Sequence, residues 1–429
     1  MADLSLRLTR SRTVTPPEGP DAEPAAEDLT IQIGPRYFWL DLKDYRRIYD
    51  FGKERVYTLH LDSKTYLDDS LHAVVMFREA EIRSRLGVPM FGDIENLSVG
   101  KREQFELAHL FSMELEGMAE TDPAEQADGD VHRFTFEGET VAEFQLAEGS
   151  IPEDLRGSFA KFIAYECGVH PLVRRRLASH GRLFARLTTT ARLGDAMRIT
   201  ELRLTNCAPA DPPAGFVPDG FRFGPDPEDN DPVLKIICSV RDGAAKRPDI
   251  TSGDLRAGIE KAVEERQFAQ AMIYFFQNML QFGVEDEALL KKISDAAGDD
   301  EGFLLVRLGV RRNNKAEAER ALLALDAIDR ASLKNAYILD VYKADALSTA
   351  GRAGEAKWLF IKVLQQNPYL AGAYKDLGGI LFAEYDMPGA WRCWELCLKL
   401  CPGYSLLRKF EYHQERRRTR FPDFFRSHP

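Results

Sequence analysis

Few residues in this 429-residue chain stand at spacings that could do chemistry. Cys393, Cys397 and Cys401 recur every fourth position on one helical segment. Three thiolates could ligate a soft metal, but one straight helix cannot wrap three ligands around a tetrahedral ion. Small buried residues are therefore the expected reading, and no metal is expected. His60 and Asp62 sit two apart on an expected strand, where they could share a face near Glu79 or Glu81. A lone His–Asp pair is read as a surface or core feature. His170, just before Pro171, is read as part of a turn.

Two basic runs stand out, Arg174-Arg175-Arg176 and Arg416-Arg417-Arg418 with Arg420. Either could meet a polyanion, but cations at the end of a helix also complement its dipole. There is no P-loop, HExxH, nucleophile elbow, CxxC or Rossmann glycine pattern. Gly351-Arg352-Ala353-Gly354 runs on into Glu355-Ala356-Lys357, a turn and helix start. No catalytic residue and no cofactor is expected.

The composition narrows the classes of partner. Net charge is -11 and 44% of residues are hydrophobic. An acidic balance makes nucleic acid an unlikely partner. No apolar run is long enough to span a membrane, and no export signal core is visible near Met1. Six scattered cysteines fit a reducing compartment. The expected location is the cytoplasm. The triplet Asn96-Leu97-Ser98 matches a glycosylation acceptor, which carries no weight without secretion.

Residues 1–28 are polar and then Pro/Glu-rich, and are expected to form a disordered arm. Residues 29–207 mix strand and helix signals and are expected to form an α+β domain. Arg55 to Leu61 is β-rich, and Leu67 to Leu86 repeats apolar residues at helical spacing. His132 to Leu146 predicts a hairpin turning near Glu137-Gly138, and Arg182 to Asn206 a second one turning at Gly194-Asp195. Between them, Pro152 to Glu166 predicts a helix. Residues 208–232 carry seven prolines and read as a linker or long ordered loop. Residues 233–251 read as a short strand, Val233 to Val240, and a connection.

From 252 to 418 helical periodicity takes over, with an internal period. Pro368 and Pro402 lie 34 positions apart, and the same step relates Ala356 to Ala390, Phe360 to Trp394 and Ala344 to Gly378. Small residues let two antiparallel helices cross closely, an aromatic fills the space between them, and a proline ends the second. Over Tyr337 to Tyr404 this pattern resembles the tetratricopeptide-repeat family. Weaker copies lie upstream, at Gly302 to Asn335 and Ser252 to Glu285, with an extra helix between them at about 285–297 that breaks the period. Tyr404 to Arg418 reads as a capping helix, with Leu406, Leu407 and Phe410 on one side. The tail, 419–429, includes Phe421-Pro422-Asp423-Phe424-Phe425 and is aromatic enough to dock.

The N-terminal signals point to an α+β domain, and the resemblance implies that an all-α tetratricopeptide-like solenoid follows it. It implies a non-enzymatic adaptor that binds a protein or peptide segment in a groove lined by the first helix of each pair. Carried over by position, those residues are Val341, Asp345, Ser348, Lys375, Gly379 and Phe382. Gly379 stands where the family's carboxylate clamp has an Asn, so a C-terminal carboxylate ligand is not implied. Self-association is a further option. The alternatives are an enzyme whose chemistry lies in the N-terminal domain, and an RNA-binding helical array.

Overall fold

Alternation with a period of two begins almost at once: Leu4, Leu6 and Leu8 face one way along the first strand, with Ser5, Arg7 and Thr9 between them. The computed structural model describes residues 2–15, 25–88, 99–404 and 408–425. It divides into one unit made of Met1–Asp226 with Gln414–Pro429 and a second made of Pro227–His413.

The first unit is built on a twelve-stranded sheet. Its strands in chain order are β1 (Asp3–Thr15), β2 (Ala25–Gly34), β3 (Tyr37–Asp41), β4 (Tyr45–Asp50), β5 (Arg55–His60), β6 (Thr65–Ser70), β7 (Ala124–Asp128), β8 (Val131–Phe136), β9 (Glu139–Leu146), β10 (Phe184–Leu193), β11 (Ala196–Ala210) and β12 (Arg222–Phe223). The spatial order is β12-β6-β5-β4-β3-β2-β1-β11-β10-β9-β8-β7. Neighbours are antiparallel except β12 and β6, which pair in parallel. The β8–β9 turn places Glu137 and Gly138 both at positive φ, the geometry that a two-residue hairpin requires.

One face of the sheet carries helices α1 (Leu71–Arg85), α2 (Lys101–Phe111), α3 (Glu153–Phe162) and α4 (Pro171–Ser179). Phe38, Phe134, Phe144, Phe159 and Phe162 belong to the core between these layers. Leu155, Phe159 and Phe162 recur at helical spacing, which fixes the buried stripe of α3. A π-helical turn, Ile163–Cys167, follows α3 and ends at Gly168 in the left-handed region. The other face buries Tyr37, Trp39, Ile48, Tyr57 and Leu59, with Phe216, Val217 and Phe221 packed on them.

The chain reaches this unit a second time near its C-terminus, through the end of α15 (Arg408–Arg420) and the short α16 (Pro422–Phe425). Phe421, Phe424 and Phe425 join the main core. Arg418 donates to both carboxylate oxygens of Glu54, at 2.7 and 2.6 Å. Arg420 donates to Glu79, and Arg417 lies beside the same carboxylate. Arg417, Arg418 and Arg420 of the basic run are thus engaged by Glu54, in the turn before β5, and by Glu79 of α1.

The second unit is helical: α5 (Pro232–Arg241), α6 (Ser252–Glu264), α7 (Phe268–Phe282), α8 (Glu287–Ala297), α9 (Glu301–Gly309), α10 (Lys315–Ala327), α11 (Ile338–Thr349), α12 (Ala353–Gln366), α13 (Ala371–Ala383) and α14 (Met387–Leu400), with the start of α15. Ala344, Ala356 and Ala390 are fully buried. A Cβ on Gly378 would come within 2.4 Å of the Trp394 indole. Four antiparallel pairs form, and α7 also packs against α9, α11 and α13.

Several expectations are corrected. Residues 3–15 and 25–28 are strand, not a disordered arm; the Pro/Glu-rich stretch 16–24 lies outside the described residues. Ser5, Arg7 and Thr9, which alternate with Leu4, Leu6 and Leu8, gave the segment a polar composition that hid the inward leucines. Helix α1 starts at Leu71, because Thr65–Ser70 is paired as β6. Ala124–Asp128 is paired as β7 with β8. The segment 208–232, read as a linker or long ordered loop, begins as β11, packs Phe216, Val217 and Phe221 on the aromatic face of the sheet and pairs as β12. Val233 to Val240 is helix, not strand. Asp231 caps it through hydrogen bonds from the Val233 and Leu234 amides, and Pro232 occupies its first turn. A short apolar run is ambiguous by period alone, and the Asp-Pro start signal decides it. The expected array 252–418 ends within α15, whose last turns belong to the first unit. The Asn96–Ser98 triplet and the apolar Leu406 and Leu407 lie outside the described residues.

Candidate ligand cleft

The first unit contains a cleft of about 340 Å³ between α3 and α4. Its walls are set by helical periodicity. The faces of α3 and α4 that carry Leu155, Phe159, Val173 and Leu177 turn to the sheet, which leaves Arg156, Lys161, Arg174 and Arg175 toward the cleft. Gly157, Ala160, Ala178 and Ser179 supply little bulk between them and keep the space open. Glu153 and Asp423 are the acidic members, so cations outnumber anions by four to two.

Lys161 is 1% exposed. Its Nζ lies 4.9 Å from the centroid of Phe51, a cation–π contact. Burial pushes the ammonium down to about 8, with the Asp423 carboxylate opposing the shift. Arg174 is also buried; it donates to the Ser112 carbonyl at 2.9 Å, pairs with Asp423, and stacks 5.5 Å over Phe424. Arg156 donates to the Ile151 carbonyl at 3.2 Å, while Arg175 is half exposed and 3.9 Å from Glu114. Two buried cations and two exposed ones form an arrangement that favours a small anion.

Next to α4, Glu114, Asp122 and His170 place possible ligand atoms within 4.8 Å of one another. The imidazole argues against a metal there. His170 Nδ1 accepts from the Leu172 amide, so the neutral ring carries its proton on Nε2, which faces Thr121 and Glu114 at 3.3 and 3.4 Å. That nitrogen has no free lone pair to give a cation. Burial drives His170 down to about 3, which keeps the ring neutral.

His60 and Asp62 do not form a catalytic pair. His60 Nδ1 lies 3.5 Å from Asp226, Asp62 is exposed, and Glu79 is engaged by Arg83 and Arg420. Cys393, Cys397 and Cys401 are buried free thiols along α14 and its end.

The groove residues carried over by resemblance meet a different fate. Val341 is fully buried and Asp345 nearly so. Asp345 accepts from Arg312 at 2.6 Å and shares a buried charge cluster with Lys375 and Asp376. Desolvation and the Asp376 charge push Asp345 up to about 8. Ser348 is half buried near the end of α11, Gly379 is exposed, and Phe382 lies 5.9 Å from the Trp394 ring. The six do not form an open groove. Helix α7 lies along the first helices of both later pairs: Phe276 meets Tyr342 at 4.4 Å, and a Cβ on Gly372 would strike Leu280 at 2.5 Å. Gln277 and Gln281 accept hydrogen bonds from Asn335 and Asn367.

No protein-family model matches the chain, and no curated protein matches it. A solved structure described as lipid-protein interactions in lipovitellin matches at 9% identity with a TM-score of 0.20, over 97% of this chain and 47% of that one. The chain thus spans about half the length of that structure, and the likeness is too slight to carry an argument about fold or function. The adaptor reading is overturned. Nothing in these comparisons supports it, and the segment that would occupy the proposed groove is the chain's own α7.

No helix among the described residues is long and apolar enough to cross a membrane.

Proposed function

We propose that the first unit binds a small anionic ligand, one bearing a phosphate or carboxylate group, in the cleft between α3 and α4. The observation that carries this reading is the lining of the cleft, where Arg156, Lys161, Arg174 and Arg175 outnumber Glu153 and Asp423. The two exposed arginines, Arg156 and Arg175, close over the anion and exchange their solvent contacts for it.

Titration calorimetry of the full chain with inorganic phosphate and, separately, succinate tests this. Saturable binding to one site is expected. The double change Arg156→Gln with Arg175→Gln weakens it at least about tenfold, equivalent to about 1.4 kcal/mol. Absence of saturable heat with both probes sinks the reading.

For the second unit we read α11–α12 and α13–α14 as tetratricopeptide-type hairpins, a structural kinship supported by the repeated Ala344/Gly378 and Ala356/Ala390 crossings. Six unpaired thiols fit residence in a reducing compartment such as the cytoplasm.

A further inference from the structure

Among the described residues that line the cleft, all but one belong to α3 or α4. The exception is Asp423 of α16, which pairs with Arg174 across 249 positions of sequence. We propose that the Asp423 carboxylate is the cleft's own anion: it engages Arg174 ahead of any external anion, so the C-terminal segment restrains ligand binding and is loosened by it. This rests on the anion site proposed above and goes beyond it by naming the part of the chain that regulates the site.

The partners of Arg174 set up this competition. Its Nη1 donates to the Ser112 carbonyl at 2.9 Å, and its Nη2 pairs with Asp423. A backbone carbonyl carries no net charge, so the carboxylate is the partner that offsets the guanidinium. The Asp423 charge also acts on Lys161. Both buried cations of the cleft thus feel a counter-charge that the chain itself supplies. An external anion gathered by the exposed Arg156 and Arg175 must approach that same carboxylate, and like charges in a partly desolvated cleft oppose each other.

The neighbouring residues place the carboxylate where the cleft can reach it. Phe424 is 2% exposed and accepts from Tyr165 Oη at 3.1 Å through its carbonyl, whereas the Asp423 side chain is 32% exposed. Arg174 also stacks 5.5 Å over the Phe424 ring. An anion that draws Arg174 toward the cleft therefore weakens two contacts of α16 at once. Linkage makes the effect mutual: whatever docked Asp423 costs the ligand, the bound ligand costs the docking of α16.

The test compares the full chain with its Asp423→Asn variant, using inorganic phosphate as the probe. The amide oxygen of Asn can still accept from Arg174, so the change removes the charge and leaves a hydrogen bond to hold α16. Titration calorimetry should show the variant binding phosphate at least about tenfold more tightly than the parent. A second measurement uses the unaltered chain alone. Hydrogen exchange read by mass spectrometry should quicken in the peptide containing Phe424 at saturating phosphate, with the peptide containing Phe144 unchanged. That measurement decides the matter even if the variant misfolds. Equal or weaker phosphate binding by a folded variant overturns the inference and leaves the anion site standing. Exchange at Phe424 that saturating phosphate slows or leaves unchanged does the same. Failure of both chains to bind phosphate overturns the inference and the anion site together.

Discussion

Tyr165 Oη donates a 3.1 Å hydrogen bond to the carbonyl oxygen of Phe424, a residue 259 positions further along the chain. Around it the Phe424 ring lies 5.1 Å from that of Tyr165, under the guanidinium groups of Arg78 and Arg174. The C-terminal segment is therefore part of the sheet unit's core. Phe424→Ala should destabilise that unit by about 3–5 kcal/mol. Urea denaturation followed by near-ultraviolet circular dichroism measures this, and a midpoint equal to the parent's would show the docking to be superficial.

In the helical unit the close crossings set the limit. Ala390→Leu should cost about 1–3 kcal/mol, because methyl groups added at a fully buried crossing have nowhere to go. Gly378→Ala should also lower the melting temperature, by driving Trp394 off its hydrogen bond to the Lys375 carbonyl. Thermal melting of both variants checks the crossing register; unchanged melts would refute it.

Acidity should act on the two units with opposite signs. Asp345 is raised from 3.8 to about 8, so the folded helical unit binds the proton more tightly than its unfolded chain. The stability this confers is complete below the unfolded value and is lost as pH rises toward about 8. In the sheet unit burial lowers His109 to about 4 and His170 to about 3, from 6.5. Their contribution is complete above 6.5 and is lost as pH falls toward those values. Methyl resonances of Met113 in the first unit and Met272 in the second can follow each through urea titrations across this window. Asp345→Asn should flatten the profile of the helical unit alone. A common pH dependence for both units would contradict the assignment.

The thiols should differ in reactivity by position. Cys207 is exposed, whereas Cys393 and Cys397 are fully buried and burial pushes Cys397 up to about 12. Iodoacetamide should modify Cys207 first and leave the α14 thiols untouched until unfolding. Elemental analysis of protein purified without chelator should find no stoichiometric metal, and a metal lost on Cys397→Ala would reverse the reading.

The local signals were legible where one residue type dictates geometry. Glu137-Gly138 and Gly194-Asp195 both mark two-residue turns in the structure. Ala356 and Ala390 announced buried crossings through spacing alone. The candidate cleft was not legible. Lys161 sits among Phe159, Phe162 and Ile163, and nothing in that string tells whether its amine reaches water. The arginine run 174–176 was visible, but which member turns inward depends on the phase of α4 against the sheet. Arg174 is buried and Arg175 and Arg176 are exposed, a distinction that only tertiary packing makes. The groove failed for a similar reason. Local repeat spacing places α11 and α13 side by side, yet it says nothing of α7, a non-local neighbour that covers them.

The sheet unit is discontinuous in sequence, with the whole helical unit encoded between Asp226 and Gln414. A ribosome making this chain produces the twelve strands and α1–α4 first, then the helices of the second unit, and only afterwards Phe421, Phe424 and Phe425, which complete the sheet unit's core. The strands must wait through the synthesis of 187 residues, at about 5–20 residues per second, with that part of their core unfilled. The helical unit, whose segment is continuous, can finish folding inside that interval. Order of synthesis and order of completion are thereby reversed, and the nascent sheet is the species a chaperone would meet.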